Sequence, residues 1–175
     1  MKEILGLVEL AILALLIALL VFVNIAHYLL GWAFLAVVEG QSMEPLLLSG
    51  DVVIVIPNAK SISLGDVIIF KNDRDEYVIH RVVGIINCTD ANKLLYITKG
   101  DNNQFVDQAT FIAIKSSIPC PTSNLTLLKT GSTAFDYSVI SAVSDVKRGI
   151  DSSRIVGKVL QIGKVIIKIT GLLVH

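Results

Sequence analysis

Gly50-Asp51-Val52-Val53-Ile54-Val55-Ile56-Pro57 is the stretch that decides the fold. Gly and Asp make a turn, a β-branched run follows, and Pro57 ends it. β-Branched side chains are stiff at χ1 and pack well on a pleated surface, so the run predicts a strand. The same device recurs at Gly65-Asp66-Val67-Ile68-Ile69-Phe70. Polar residues 71–76 read as a hairpin tip, and residues 77–86 as the next strand or pair of strands. Leu94-Leu95-Tyr96-Ile97-Thr98 follows and runs into Lys99-Gly100-Asp101-Asn102-Asn103, which is turn chemistry. Short strands at this spacing predict a mainly β fold, an antiparallel barrel or sandwich.

Upstream, Phe34-Leu35-Ala36-Val37-Val38 predicts a buried strand that runs into Gly40. Before it the chain changes character. Residues 4–23 are apolar apart from Gly6 and Glu9. As a helix that run would span ~30 Å, the thickness of a hydrocarbon core. Tyr28 and Trp32 follow as interfacial anchors. The run is too long for the apolar part of a cleaved signal peptide, and no small-x-small site is well placed after it. A retained transmembrane signal anchor over residues 1–32 is expected, with a β-rich domain over 33–175. Lys2 precedes the helix and no Lys or Arg follows before Lys60, a bias that puts the N-terminus in the cytoplasm and the domain outside.

Downstream, composition shifts. Residues 108–153 are rich in Ser and Thr and read as an insertion from the β core, with a short helix possible over 135–146. Ile155-Val156-Gly157-Lys158-Val159-Leu160 returns to strand character, and 162–174 reads as a terminal strand or an interface-lying segment.

The chain has 175 residues, 53% of them hydrophobic, which exceeds what an ordinary soluble domain carries. Lys+Arg and Asp+Glu both number 15, so no basic footprint for nucleic acid exists. Cys88 and Cys120 fit no zinc spacing; they pair in an oxidising compartment or remain two apolar thiols. Asn87-Cys88-Thr89 and Asn124-Leu125-Thr126 are glycosylation sequons that lean towards an extracytoplasmic face. No metal or cofactor is called for.

Three places can carry chemistry. Ser42 lies in Gly40-Gln41-Ser42-Met43-Glu44-Pro45, where Pro45 restricts its own φ and that of Glu44, as a held nucleophile requires. The bland reading is a hydroxyl that caps a turn. His80 is a polar group in an apolar strand, Val78-Ile79-His80-Arg81-Val82. A buried imidazole needs partners, from backbone or from a serine hydroxyl that would make it a general base. Asp101 and Asp107 lie in the polar loop after the next strand, and either could orient such a base. Asp51 and Asp66, each after a Gly, read as strand-leading turns.

The order of Ser42-Met43-Glu44-Pro45, Gly65-Asp66-Val67-Ile68-Ile69-Phe70, Ile79-His80-Arg81-Val82, Thr98-Lys99-Gly100-Asp101-Asn102-Asn103 and Val156-Gly157-Lys158 resembles the type I signal peptidases. A histidine at position 80, where bacterial and organellar members use a lysine base, resembles the archaeal and endoplasmic-reticulum branch. The resemblance implies a membrane-bound serine endopeptidase that cuts signal peptides from exported preproteins after small residues. It implies Ser42 as nucleophile, His80 as base, Asp107 as the family carboxylate and Asp101 as a supporting residue. Which carboxylate touches His80 is not readable from spacing. Val38, Gly40, Gln41, Val78 and Ile79 are the expected substrate contacts, through backbone edges that receive an extended peptide. Expected partners are signal peptides, the bilayer, and translocation machinery or other peptidase subunits.

The chain departs from the family pattern at Gly40, where a serine often stands, and in the long 108–153 segment. The competing reading is a catalytically inactive, membrane-anchored β domain that acts as an interaction subunit. A self-cleaving repressor-type relative would need a lysine base and a DNA-binding domain, which the N-terminal anchor and the absence of a basic helix count against.

Overall fold

A computed structural model describes residues 2–30, 32–59, 61–88, 93–107, 123–127, 149–163 and 165–170. One helix, α1 (Lys2–Leu30), leads into strands β1 (Leu35–Val37), β2 (Val52–Pro57), β3 (Val67–Lys71), β4 (Tyr77–Cys88), β5 (Lys93–Lys99) and β6 (Ser123–Leu127). Strand β7 (Ile150–Asp151), a 3-10 turn (Ser152–Arg154), β8 (Ile155–Val159), β9 (Gln161–Ile162), β10 (Val165–Ile166) and β11 (Lys168–Ile169) complete the described chain.

Within α1, the segment Gly6–Ala26 is long and apolar enough to cross a membrane, and it is exposed along almost its whole length, with Ala26 at its end buried. The sheet path runs β1-β2-β8-β3-β4-β5-β7, with β11 beside β2 and β6 beside β4, all antiparallel. Among the described residues the path does not close into a barrel, so the sandwich-like alternative describes it. β3 explains why. Its side chains are buried on both faces, as the unbroken apolar run of residues 67–70 requires. Val67 and Ile69 join one core cluster with Val38, Met43, Leu47, Val53, Val55 and Val159. Ile68 and Phe70 join another with Ile62, Val82, Tyr96 and Ile150.

The Gly-Asp turns work alike. Asp51 Oδ2 accepts from the Leu48 N–H at 2.9 Å, and Asp66 Oδ2 from the Ser63 N–H at 2.7 Å. Each buried carboxylate also meets a lysine from the C-terminal strands, Lys168 for Asp51 (2.6 Å) and Lys158 for Asp66 (2.8 Å). Sequence spacing carried no sign of these long-range pairs.

Two expectations change. β1 is buried on one face only: it is an edge strand whose Leu35 and Val37 point outward, 61% and 49% exposed, while Ala36 between them packs against the core. Within the supposed insertion, β6 pairs with β4 and β7 with β5, so these pieces extend the same sheet. Of the two readings of the terminal segment, the strand holds: β11 pairs with β2. The helix expected over 135–146 lies outside the described residues, as does Cys120; Cys88 is disulfide-bonded.

Candidate active site

Ser42 follows β1 on a turn that is pinned from both sides. Val38 before it and Met43 and Leu47 after it are buried in one cluster. Burying side chains of that size stabilises by roughly 1.5–3 kcal/mol each, so the turn between them has little freedom. Val38 is tied by backbone bonds to Asp51 (2.8 Å) and Gly50 (2.9 Å). The loop after β5 closes over the turn: the Asn102 N–H donates to the Ser42 carbonyl at 2.8 Å, and Asn102 Nδ2 to the Gln41 carbonyl at 3.1 Å.

His80 sits in β4, 4% exposed. Its Nε2 lies 3.0 Å from Ser42 Oγ and its Nδ1 2.7 Å from Asp107 Oδ2. A carboxylate only accepts, so Nδ1 carries the proton and Nε2 of the neutral ring accepts from the serine hydroxyl. Thr98 Oγ1 donates to the same Asp107 oxygen at 2.6 Å. Asp101 does not meet His80. It takes a two-pronged bond from Arg81, Nε at 2.8 Å and Nη2 at 2.7 Å, while Arg81 Nη1 donates to the Gly65 carbonyl at 2.8 Å. Alternation along β4 separates the two, because His80 and Arg81 point to opposite faces. Burial pushes the nearby Lys99 ammonium below its ordinary range, against the pull of Asp101 and Asp107, with Arg81 adding to the lowering.

These residues stand in a cleft of about 590 Å³. Ala36, Val37 and Glu39 line it from the β1 side, Tyr77, Val78 and Ile79 from β4, together with Ile69, Ser42, His80 and Asn103. Both strands present an edge to it. Phe34 accepts from Val55 in β2, and Val38 bonds to Gly50 and Asp51 just before that strand, so alternation turns the backbone groups of Leu35, Val37 and Glu39 away from β2. On β4, Val82 bonds to Asp66 and Glu76 to Asn72, so Val78 and His80 face β3 while Tyr77 and Ile79 turn outward. Among the described residues β5 pairs with β4 only from Arg81 onward.

The expected contacts Val78 and Ile79 therefore line the cleft, while Val38, Gly40 and Gln41 do not. Val38 is a core residue, and the Gln41 carbonyl is taken by Asn102. Val37 and Glu39 stand in their place, a shift of one residue that strand alternation imposes. Thr98, Arg81, Glu39 and Asn103 were missed from sequence. For Arg81 the signal was present, since a guanidinium beside a strand histidine needs a carboxylate.

Residues 26–93 match the family described as Peptidase S24-like. Signal peptidase I W of Bacillus subtilis (strain 168) is 41% identical over 81 residues, which cover 45% of this chain and 41% of that protein. The chain is related to the type I signal peptidases. The signal peptidase complex catalytic subunit SEC11 of Yarrowia lipolytica is 38% identical over 78 residues, 44% of each chain. SEC11 of Zygosaccharomyces rouxii is 39% identical over 70 residues, covering 39% of this chain and 41% of the relative. The chain thus spans less than half the length of these curated relatives. No solved structure matches.

Proposed function

We propose that the protein is a membrane-bound serine endopeptidase that removes signal peptides from exported preproteins, cutting after small residues. The observation that carries this reading is the continuous line of hydrogen bonds Ser42–His80–Asp107 in a cleft between two strand edges. Ser42 Oγ attacks the scissile carbonyl as its proton passes to His80 Nε2. Asp107 holds Nδ1–H, keeps the ring in the productive tautomer and stabilises the imidazolium. The imidazolium returns its proton to the leaving amine, and water activated by His80 then releases the acyl group from Ser42. An extended peptide fits between the outward backbone groups of Val37 and Glu39 and those of Tyr77 and Ile79. The half-buried apolar side chains of Ala36 and Ile79 leave room there for small substrate residues.

Residues 1–32 serve as the anchor in an archaeal or endoplasmic-reticulum membrane, with the N-terminus cytoplasmic. Residues 33–175 form the peptidase domain on the opposite side. The name of the SEC11 relatives, catalytic subunits of a complex, favours further peptidase subunits as partners beside the bilayer and the signal peptide. The test is preprotein cleavage by the purified full chain. Ser42→Ala and His80→Ala each abolish cleavage while the fold is kept; normal processing by Ser42→Ala would end the serine-nucleophile reading, and no cleavage by the parent chain would favour the inactive interaction subunit.

A further inference from the structure

We propose that the side-chain amide of Asn103 is the second hydrogen-bond donor to the carbonyl oxygen of the scissile bond, beside the backbone N–H of Ser42. The assignment rests on the serine-endopeptidase reading above. An acyl-transfer site needs donors where the oxyanion develops, and a backbone N–H at the nucleophile is seldom enough alone. Among the described residues nothing accepts from the Ser42 N–H, which leaves it available to a substrate. Gly40, two residues earlier, brings no side chain. Its φ of +85° lies where an L side chain is strained, although a Cβ there would meet nothing within 4 Å. The backbone of this turn, rather than lack of space, keeps a hydroxyl residue from that position.

Asn103 is the group left to supply the donor. It lines the cleft with Ser42 and His80 and is half-buried. Its main-chain N–H is fixed to the Gly100 carbonyl at 3.0 Å, yet its side-chain amide bonds to none of the described residues. The adjacent Asn102 differs, because its amide and N–H are both spent on holding the serine turn. Asn103 Nδ2 is also close to the nucleophile's backbone. A Cβ built on Gly100 would lie 2.5 Å from the Ser42 carbonyl oxygen and 2.8 Å from Asn103 Nδ2, so both flank one point. The neighbouring cations are engaged elsewhere, Arg81 with Asp101 and Gly65, and Lys99 Nζ with the Gly100 carbonyl. A half-buried amide with no protein partner is open to water in the free enzyme and to a substrate oxygen when one arrives.

The experiment compares the full chain with Asn103→Ala and the isosteric Asn103→Asp in detergent micelles, using a preprotein substrate and a peptide boronate that mimics the tetrahedral adduct. Asn103→Ala is expected to lower kcat by ~10²-fold with little change in KM, as removal of one oxyanion donor does elsewhere. Boronate affinity should fall by the same factor as kcat/KM, which a merely structural role would not produce. Asn103→Asp, which puts an acceptor at the oxyanion, should be at least as slow while melting at the parent temperature. Parent-like kcat in Asn103→Ala, or a loss confined to KM, would overturn the assignment. Ser42→Ala is run alongside: if it still cleaves, the peptidase reading itself has failed, whereas an inactive Ser42→Ala beside a normal Asn103→Ala rejects Asn103 alone.

Discussion

The backbone N–H of Asn102 donates to the carbonyl of Ser42 at 2.8 Å, across 60 residues of chain, and Gly100 is what lets the two approach. A Cβ at Gly100 would stand 2.5 Å from that carbonyl oxygen, well inside contact distance. Gly100→Ala must push the serine turn and the loop apart. Misplacement of a nucleophile by ~1 Å costs on the order of 10²-fold in rate, and overpacking of this kind ~1–3 kcal/mol of stability. Preprotein turnover and a thermal melt measure both; unchanged turnover would separate the Gly100 loop from the chemistry.

Asp107 and Asp101 differ in what they hold, so their substitutions should differ in kind. Asp107→Asn removes the acceptor that sets the His80 tautomer, and a loss on the order of 10³–10⁴-fold in kcat is expected. Asp101→Asn only weakens a half-exposed, two-pronged bond with Arg81 and should act mildly, through loop position. Single-turnover rates rank the two, and a larger loss at Asp101 reverses the assignment.

Thr98 is fully buried and gives its hydroxyl proton to the Asp107 oxygen that faces His80. Thr98→Val keeps the shape and deletes the donor. Loss of such a bond to a charged group is worth ~1.5–3 kcal/mol. The variant should melt below the parent and turn over more slowly, yet remain faster than Asp107→Asn. Equal rates in Thr98→Val and parent would mean Asp107 is held by other contacts.

Acid should destabilise the fold through Asp51. Burial pushes its carboxyl up, but the hydrogen bond from Lys168, the Leu48 N–H and the Lys168 charge together hold it below the ordinary 3.8. A lowered carboxyl contributes stability that is fully present above the unfolded value and lost as pH falls through the lower, folded one. Urea midpoints between neutral pH and pH 3 should drop, and Asp51→Asn should flatten that drop while lowering the neutral plateau. Lys168→Met leaves a nearly fully buried carboxylate without its cation, so it should lower the neutral plateau and shrink the acid drop, because burial then pushes the carboxyl up with less to hold it low. A parent-like acid limb in Asp51→Asn would place the sensitivity in another carboxylate.

The strands were legible because their signals are local. Residues 52–57 and 67–71 carry β-branched runs behind Gly-Asp turns, and the polar 71–76 tip closes a hairpin on Asn72, whose Oδ1 accepts from the Arg74 and Glu76 N–H groups. The edge character of β1 was not legible, because burial of a strand depends on what lies beside it and not on its own composition. The extra strands β6 and β7 stayed hidden for a like reason, since two to five residues pair only where a longer strand waits.

For the site, the amino-acid order alone determined the cast: an apolar helix, then Ser42, His80 and two aspartates on a β framework. It determined that much because each residue type sits in a turn or strand whose local chemistry names it. Only the tertiary structure decided the assignments. Asp107, not Asp101, meets His80, since alternation along β4 sends His80 and Arg81 to opposite faces and each claims its own carboxylate. Val37 and Glu39, not Val38, line the cleft, since the partner strand β2 selects which backbone groups remain outward. Pairing chooses between neighbours in sequence, and spacing cannot.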